Sequence, residues 1–240
     1  MNTLIRSEFR KLLTIRSTYI LTIIATLLLG FFSFWALGWK GVPTANPVLM
    51  QSIMDGTTIV AMFIAIIAVL NVTHEYRYNT IMYTLTSASS RTKVFLAKYA
   101  VIMLYVLGFF VAASLFAVFM TWLGATMSGN TPINDTFYYT ETIWRSLFHI
   151  VAMTSLGFMF GMLFRHVVGA IAVLFIVPNT VEGLLSIVLK ENTKYLPYSA
   201  IEQVHSGALL APNKAALVAS AYIVGGMIIA WILFLRRDAN

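Results

Sequence analysis

Long uncharged apolar runs set the pattern of this chain. Thr18–Gly38 carries no charged side chain over 21 residues, and comparable runs follow at Gly56–Thr73, Tyr99–Met127, Ser146–Phe164, Val167–Leu189 and Ala215–Leu235. A helix rises about 1.5 Å per residue, so roughly 20 apolar residues cross a hydrocarbon core of about 30 Å. Backbone groups cannot stay unpaired in lipid, so each run predicts a helix. Strands of a membrane barrel would alternate in polarity, and these runs do not. Together with their flanks they predict spans of about 18–38, 56–73, 95–127, 144–164, 167–189 and 215–235. The expected fold is therefore an all-α integral membrane protein, a single transmembrane domain over residues 1–240. The third run would be about 43 Å long if wholly helical, enough to tilt or to project from the bilayer. Only Arg165 and His166 separate the fourth run from the fifth, which predicts a tight hairpin.

Composition agrees. Apolar residues make up 59 % of the chain and charged ones 10 %, against about 25 % charged in soluble domains. Cysteine is absent, which removes disulfides, thiolate metal sites and a cysteine nucleophile. The run after the N-terminal residues is of full span length and no small-residue cleavage site closes it, so it reads as a retained span. The net charge of +7 reports topology. With both termini cytoplasmic, eleven basic residues lie inside (Arg6, Arg10, Lys11, Arg16, Arg77, Arg91, Lys93, Lys98, Arg165, Arg236, Arg237) and five outside (Lys40, Arg145, Lys190, Lys194, Lys214), as the positive-inside rule requires. Trp39, Trp122 and Trp144 then fall near outer span ends and Tyr19 and Trp231 near inner ones. This distribution points to anionic lipid and away from nucleic acid.

Three segments lie outside the spans. Residues 1–17 place Leu4, Ile5, Phe9, Leu12 and Leu13 on one stripe with Arg6, Arg10 and Lys11 elsewhere, which predicts a basic amphipathic helix along the inner interface. The plainer reading of such a helix is a lipid anchor with no partner. Residues 74–94 form a polar cytoplasmic connection opened by Glu75 and Arg77, with a turn-prone stretch from Thr84 to Ser90 that includes Ser89. Its plainest role is a solvated loop that holds topology. Residues 190–214 form an outer connection in which Ile201, Val204, Ala208 and Leu209 would share one helix face.

Polar groups inside the spans are few. Glu182 is the one acidic residue well inside a run, with Pro178 and Asn179 within a turn of it. A carboxylate there either faces a polar path, or sits near the outer headgroups on a re-entrant segment created by a break at Pro178. The second reading is preferred. No two histidines have the i, i+4 spacing of a helical metal pair, so no metal site is expected. Gly157 and Gly161 form a Gly-x-x-x-Gly pair suited to close helix packing.

Four stretches, taken in order, resemble the membrane subunits of type-2 ABC exporters: Ser7–Tyr19, Thr73–Lys98, Val177–Leu185 and Lys194–Val204. They contain the short basic segment before the first span, the Glu-Tyr-Arg-x-x-Thr element after the second, and a Tyr-Leu-Pro-aromatic-Ser-Ala element between the fifth and sixth. The resemblance implies a six-span permease of the cell membrane that forms a dimer with a second copy or a paralogue. It implies two separate ABC ATPase subunits as partners, carrying ATP and Mg, while this chain binds no cofactor and has no catalytic residue. The ATPase-coupling positions it implies are Glu75, Tyr76, Arg77, Thr80 and Arg91 in the loop, and Glu8, Arg10, Lys11 and Arg16 on the interface helix. No Gly-x-x-x-x-Gly-Lys-Ser/Thr element is present to cradle ATP phosphates. An autonomous channel or secondary transporter would be expected to show a repeated pore motif, paired broken helices or several intramembrane charges. An intramembrane enzyme would need a nucleophile and base pair, and none stands out around Ser155 and His149.

Overall fold

The computed structural model describes residues 2–38, 46–87, 90–129 and 139–237; Trp39, Lys40 and Ser89 lie outside them. The described chain is all-α. It runs through α1 (Asn2–Thr14), α2 (Arg16–Gly38), α3 (Asn46–Arg77), α4 (Ile81–Ser87), α5 (Arg91–Ser128), α6 (Tyr139–Phe164) and α7 (Val167–Ile176). A widened π turn, Val177–Glu182, leads into α8 (Gly183–Leu189), a 3-10 segment (Lys190–Tyr195), α9 (Pro197–Ser206) and α10 (Pro212–Arg236). Among the described residues six helical stretches are long and apolar enough to cross a membrane: Arg16–Trp35, Asp55–Arg77, Arg91–Ser128, Glu141–Phe164, Val167–Tyr195 and Pro212–Arg236. An even number of passes brings both termini to one end of the bundle, here called the terminal end.

The bundle is built around α3 and α6, which make the most extensive contact in the molecule. Two-thirds of each of those spans is buried, against 11 % for Val167–Tyr195 and 17 % for Pro212–Arg236, so these two outer helices leave most of their surface on the outside of the bundle. Lipid tails are as apolar as leucine, so helices associate by close packing rather than by escape from water. Ala61, Ala65 and Ala68 on α3 are fully buried. A Cβ added at Gly157 would overlap the Ala65 carbonyl oxygen, and one at Gly161 would crowd Val72 and Val69. The Gly-x-x-x-Gly pair is thus used inside the chain, to seat α6 on α3.

Local chemistry sets the turns. Asn79 adopts a left-handed φ of 54° after α3, a conformation asparagine tolerates, and the Thr80 N–H closes the turn onto the Glu75 carbonyl. Ser90 caps α5 by accepting from the Lys93 N–H. Between α6 and α7, Arg165 turns at φ 55° and His166 caps α7 through the Gly169 N–H, giving the expected tight hairpin.

The fifth span differs from the sequence expectation. Pro178 removes one N–H and clashes in a regular α-helix. The chain answers with the wider π turn instead of a break, and the Asn179 side-chain amide donates to the Phe175 carbonyl at 2.8 Å. The reversal comes later, at Lys190, where φ is 49°. In the next connection Ile201 and Val204 are buried on α9, but Gly207 ends that helix at φ 60°, so Ala208 and Leu209 lie past its end and are exposed.

Replacing Gly157 with alanine is expected to destabilise the bundle by about 1–3 kcal/mol through overpacking. Gly108→Ala has open space at the same atom and should leave the unfolding midpoint of the purified protein unchanged. Equal midpoints for the two variants would refute close packing at Gly157.

Candidate functional site

Helix α1 is amphipathic, but it does not lie on the bundle by its apolar stripe alone. Leu12 is fully buried and Leu4 and Ile5 pack against the core, while Phe9 and Leu13 face outward. Glu8 shares the inward face with Leu12, one turn apart, and is itself buried. Its carboxylate meets the Lys98 ammonium of α5 at 2.6 Å and Lys11 at 2.7 Å. Glu75, at the end of α3, contacts Lys11 at 2.7 Å and Lys98 at 2.9 Å. Thr84 of α4 accepts from Lys11 at 3.0 Å and donates to Glu75 at 3.4 Å. Four elements, α1, α3, α4 and α5, therefore meet in one charge-balanced network of two carboxylates and two ammoniums.

Burial decides what this network does. The side chains of Lys98 and Glu8 are each 1 % exposed and that of Glu75 is 8 % exposed. Charges this deep cost several kcal/mol each to desolvate, and they persist only with partners in place. Lys11 is half in water. Burial pulls its ammonium pKa down, and the hydrogen bonds to Glu75 and Glu8 outweigh that pull, so the net direction is upward. The network fixes where α1 and α4 sit relative to α5.

The remaining sequence candidates are spread around it. Arg10, Arg16, Arg77 and Thr80 are exposed, with Arg77 beside the Tyr78 ring at 5.6 Å. Tyr76 is half-buried beneath the Arg165 guanidinium, 5.0 Å from its ring centre. Arg91 stands apart from the ion network: its guanidinium donates to the Leu235 carbonyl at 3.2 Å and the Arg237 carbonyl at 2.7 Å, tying the start of α5 to the end of α10. Sequence reasoning did not single out Lys98 as a site residue, although a lone lysine at the head of a long apolar run was the available signal. It also passed over Tyr78, Met82 and Tyr83, which are 63 %, 46 % and 77 % exposed. They form an aromatic and methionine surface around α4, beside Arg77.

The opposite end holds a second polar arrangement. The Glu182 carboxylate accepts from the backbone N–H groups of Tyr198 and Ser199, each at 2.8 Å, and from the Ser199 hydroxyl at 2.7 Å. These donors belong to the first turn of α9, whose N–H groups lack helical partners. Pro197 opens that helix, where a missing N–H costs nothing. Pro178 and Asn179 shape the π turn that carries Glu182. At the other end of α9, His205 meets His149 of α6 with ring centres 4.3 Å apart. Both His205 ring nitrogens are buried without a partner, and Arg145 donates to the His205 carbonyl. Burial, then the Arg145 charge, lowers the His205 pKa to about 4.

The chain matches the family model described as ABC-2 family transporter protein over residues 4–194. It belongs to that family and is a multi-pass membrane subunit of an ABC transporter. The matched region contains the whole ion network; α9 and α10 lie beyond it. No curated protein matches the chain.

Lys98→Met should cost about 3–5 kcal/mol, because Glu8 and Glu75 would then share the single Lys11 charge. Adding Glu8→Gln should restore part of that loss, since the pair left behind is neutral. Thermal unfolding of the two single variants and the double variant measures the coupling, and strictly additive losses would contradict a shared network.

His205 titrates lower in the folded protein than its ordinary 6.5, so its contribution is complete above that pH and is lost as pH falls toward 4. The loss amounts to about 3 kcal/mol at most. His205→Gln should flatten the dependence of the unfolding midpoint between pH 6.5 and 4, and an unchanged slope would assign the effect elsewhere.

Proposed function

We propose that this chain is the membrane-spanning half of an exporter of the cell membrane, driven by separate ATP-hydrolysing subunits that dock at the terminal end. On this reading both termini are cytoplasmic, and the working unit contains two permease chains, as a second copy or a paralogue, with two ATPase copies. ATP and Mg belong to those ATPase subunits. The Glu8–Lys11–Glu75–Lys98 network carries the proposal. It joins the exposed α1 and α4 to the head of α5, so a displacement applied at α4 is passed to a membrane-crossing helix without slack. Arg10, Arg77 and Thr80, with the rings of Tyr78 and Tyr83 and the thioether of Met82, supply the docking face. Aromatic residues, methionine and arginine are the side chains favoured at protein interfaces. Glu8, Glu75 and Lys98 lie beneath that face and hold it in place.

Co-purification tests this. A tagged chain should bring down an ATP-hydrolysing partner. Met82→Glu combined with Tyr83→Glu should lower that capture by about thirtyfold, the effect of losing about 2 kcal/mol at an interface hot spot. The same variant should still insert in the membrane, since neither side chain is buried. Undiminished capture, or ATP hydrolysis by the isolated chain, would overturn the proposal.

A further inference from the structure

Helix α10 packs along α6 and α9 and makes a lighter contact with α5. Between α5 and α10 a groove of about 410 Å³ opens at the terminal end, lined by Phe95, Leu96 and Tyr99 on one side and Val224, Ile228 and Trp231 on the other. The lining is apolar, and the stretch from Ile223 to Trp231 runs for about 12 Å along the helix axis. At that same end Arg91 opens α5, and Arg236 and Arg237 lie at the close of α10; Arg91 bridges the two helices by donating to the carbonyls of Leu235 and Arg237, and Arg237 donates to that of Leu163. Arg236 is exposed. None of the three guanidiniums meets a carboxylate among the described residues. Asp238, which follows in sequence, is one negative charge against three positive ones.

We propose that this groove is a binding site for an anionic glycerophospholipid of the leaflet on the terminal side, one acyl chain lying between α5 and α10 and the phosphate held at the arginines. A membrane leaves no apolar groove empty of chains, and the charge at that end selects which lipid stays. A second copy of this chain is the other apolar partner at hand. A two-fold contact through this face would set the same three arginines of each copy against one another, and like charges directly opposed disfavour it. An anionic headgroup instead makes charge-assisted hydrogen bonds with guanidinium groups, and those of Arg91 and Arg237 have carbonyl partners among the described residues. This inference needs only the six-span fold and stands independently of the ATPase-coupling reading.

Native mass spectrometry of the purified full-length chain, titrated with dioleoyl phosphatidylglycerol or dioleoyl phosphatidylcholine, tests it. One phosphatidylglycerol should be retained in preference to phosphatidylcholine. Arg236→Gln should reduce that preference by about fivefold at low salt, the effect of one basic residue near an anionic surface. Ile228→Trp fills the groove without touching the charges and should abolish retention, while Ile229→Trp, with the same change on an exposed neighbour, should not. A photo-crosslinking residue at position 228 should label phosphatidylglycerol. Equal retention of the two lipids, retention surviving Ile228→Trp, or crosslinking to a second copy of the chain would each overturn the assignment.

Discussion

A lysine ammonium that is 1 % exposed is the constraint on which the terminal end depends. A charge buried that deep needs carboxylates beside it, and among the described residues Glu8 from α1 and Glu75 from α3 supply them. Desolvation makes the arrangement all-or-none: with both acids in place the charges balance, and with one missing a buried ion is stranded. The network thereby converts three separate helix ends into one body. Apolar packing of Leu12 and Ile81 supports that body, but apolar contacts slide, whereas bonds of 2.6–2.9 Å to one ammonium fix a position.

The membrane-crossing part rests on a different force. Tight contact between α3 and α6 comes from the absence of side-chain bulk at Ala61, Ala65, Gly157 and Gly161, where dispersion rather than hydrophobic expulsion rewards proximity. Hydrogen bonds also join neighbouring spans: the Tyr99 hydroxyl meets Ser155 at 3.0 Å, and Thr22 meets Tyr105. Such bonds orient neighbouring helices and leave the outer ones largely in lipid. The rigid centre and the loosely attached periphery are both consequences of where the small residues fall.

The spans were legible in the sequence because a single rule, full backbone satisfaction in lipid, turns an uncharged run into a helix whatever its neighbours do. The Arg165–His166 hairpin was legible for the same reason. The interface helix was legible as amphipathic, yet its rotation was not. The apolar stripe suggested that Leu4, Ile5, Phe9, Leu12 and Leu13 face one way together, and only the demand of Lys98 turns Glu8 inward and Phe9 outward. Contacts between distant residues were out of reach. Glu182 and Ser199 are 17 positions apart and meet because the chain reverses at Lys190, a residue with no turn signal of its own. His149 and His205 meet because α9 lies across α6, which no spacing rule encodes. At Pro178 local chemistry predicted a break, and the Asn179 amide together with a widened turn absorbed the defect inside the helix.

The two ends of the molecule use related chemistry with different consequences. At one end Glu182 gathers neutral donors at a helix start, an arrangement that survives small shifts because three hydrogen bonds converge on a single carboxylate. At the other, ammonium and carboxylate groups interlock α1, α3 and α5, with Thr84 of α4 bonded to both Lys11 and Glu75, and no charged member can move without exposing another's charge. Helix α5 leads away from the ion network: its 38 residues measure about 57 Å, about 45 Å of it beyond Lys98, and α2 packs along it. On the proposed reading, force delivered at α4 reaches α5 where it is least able to yield and travels along a continuous hydrogen-bonded rod. The lipid-facing outer helices then have the freedom to respond, since little besides lipid holds most of their surface.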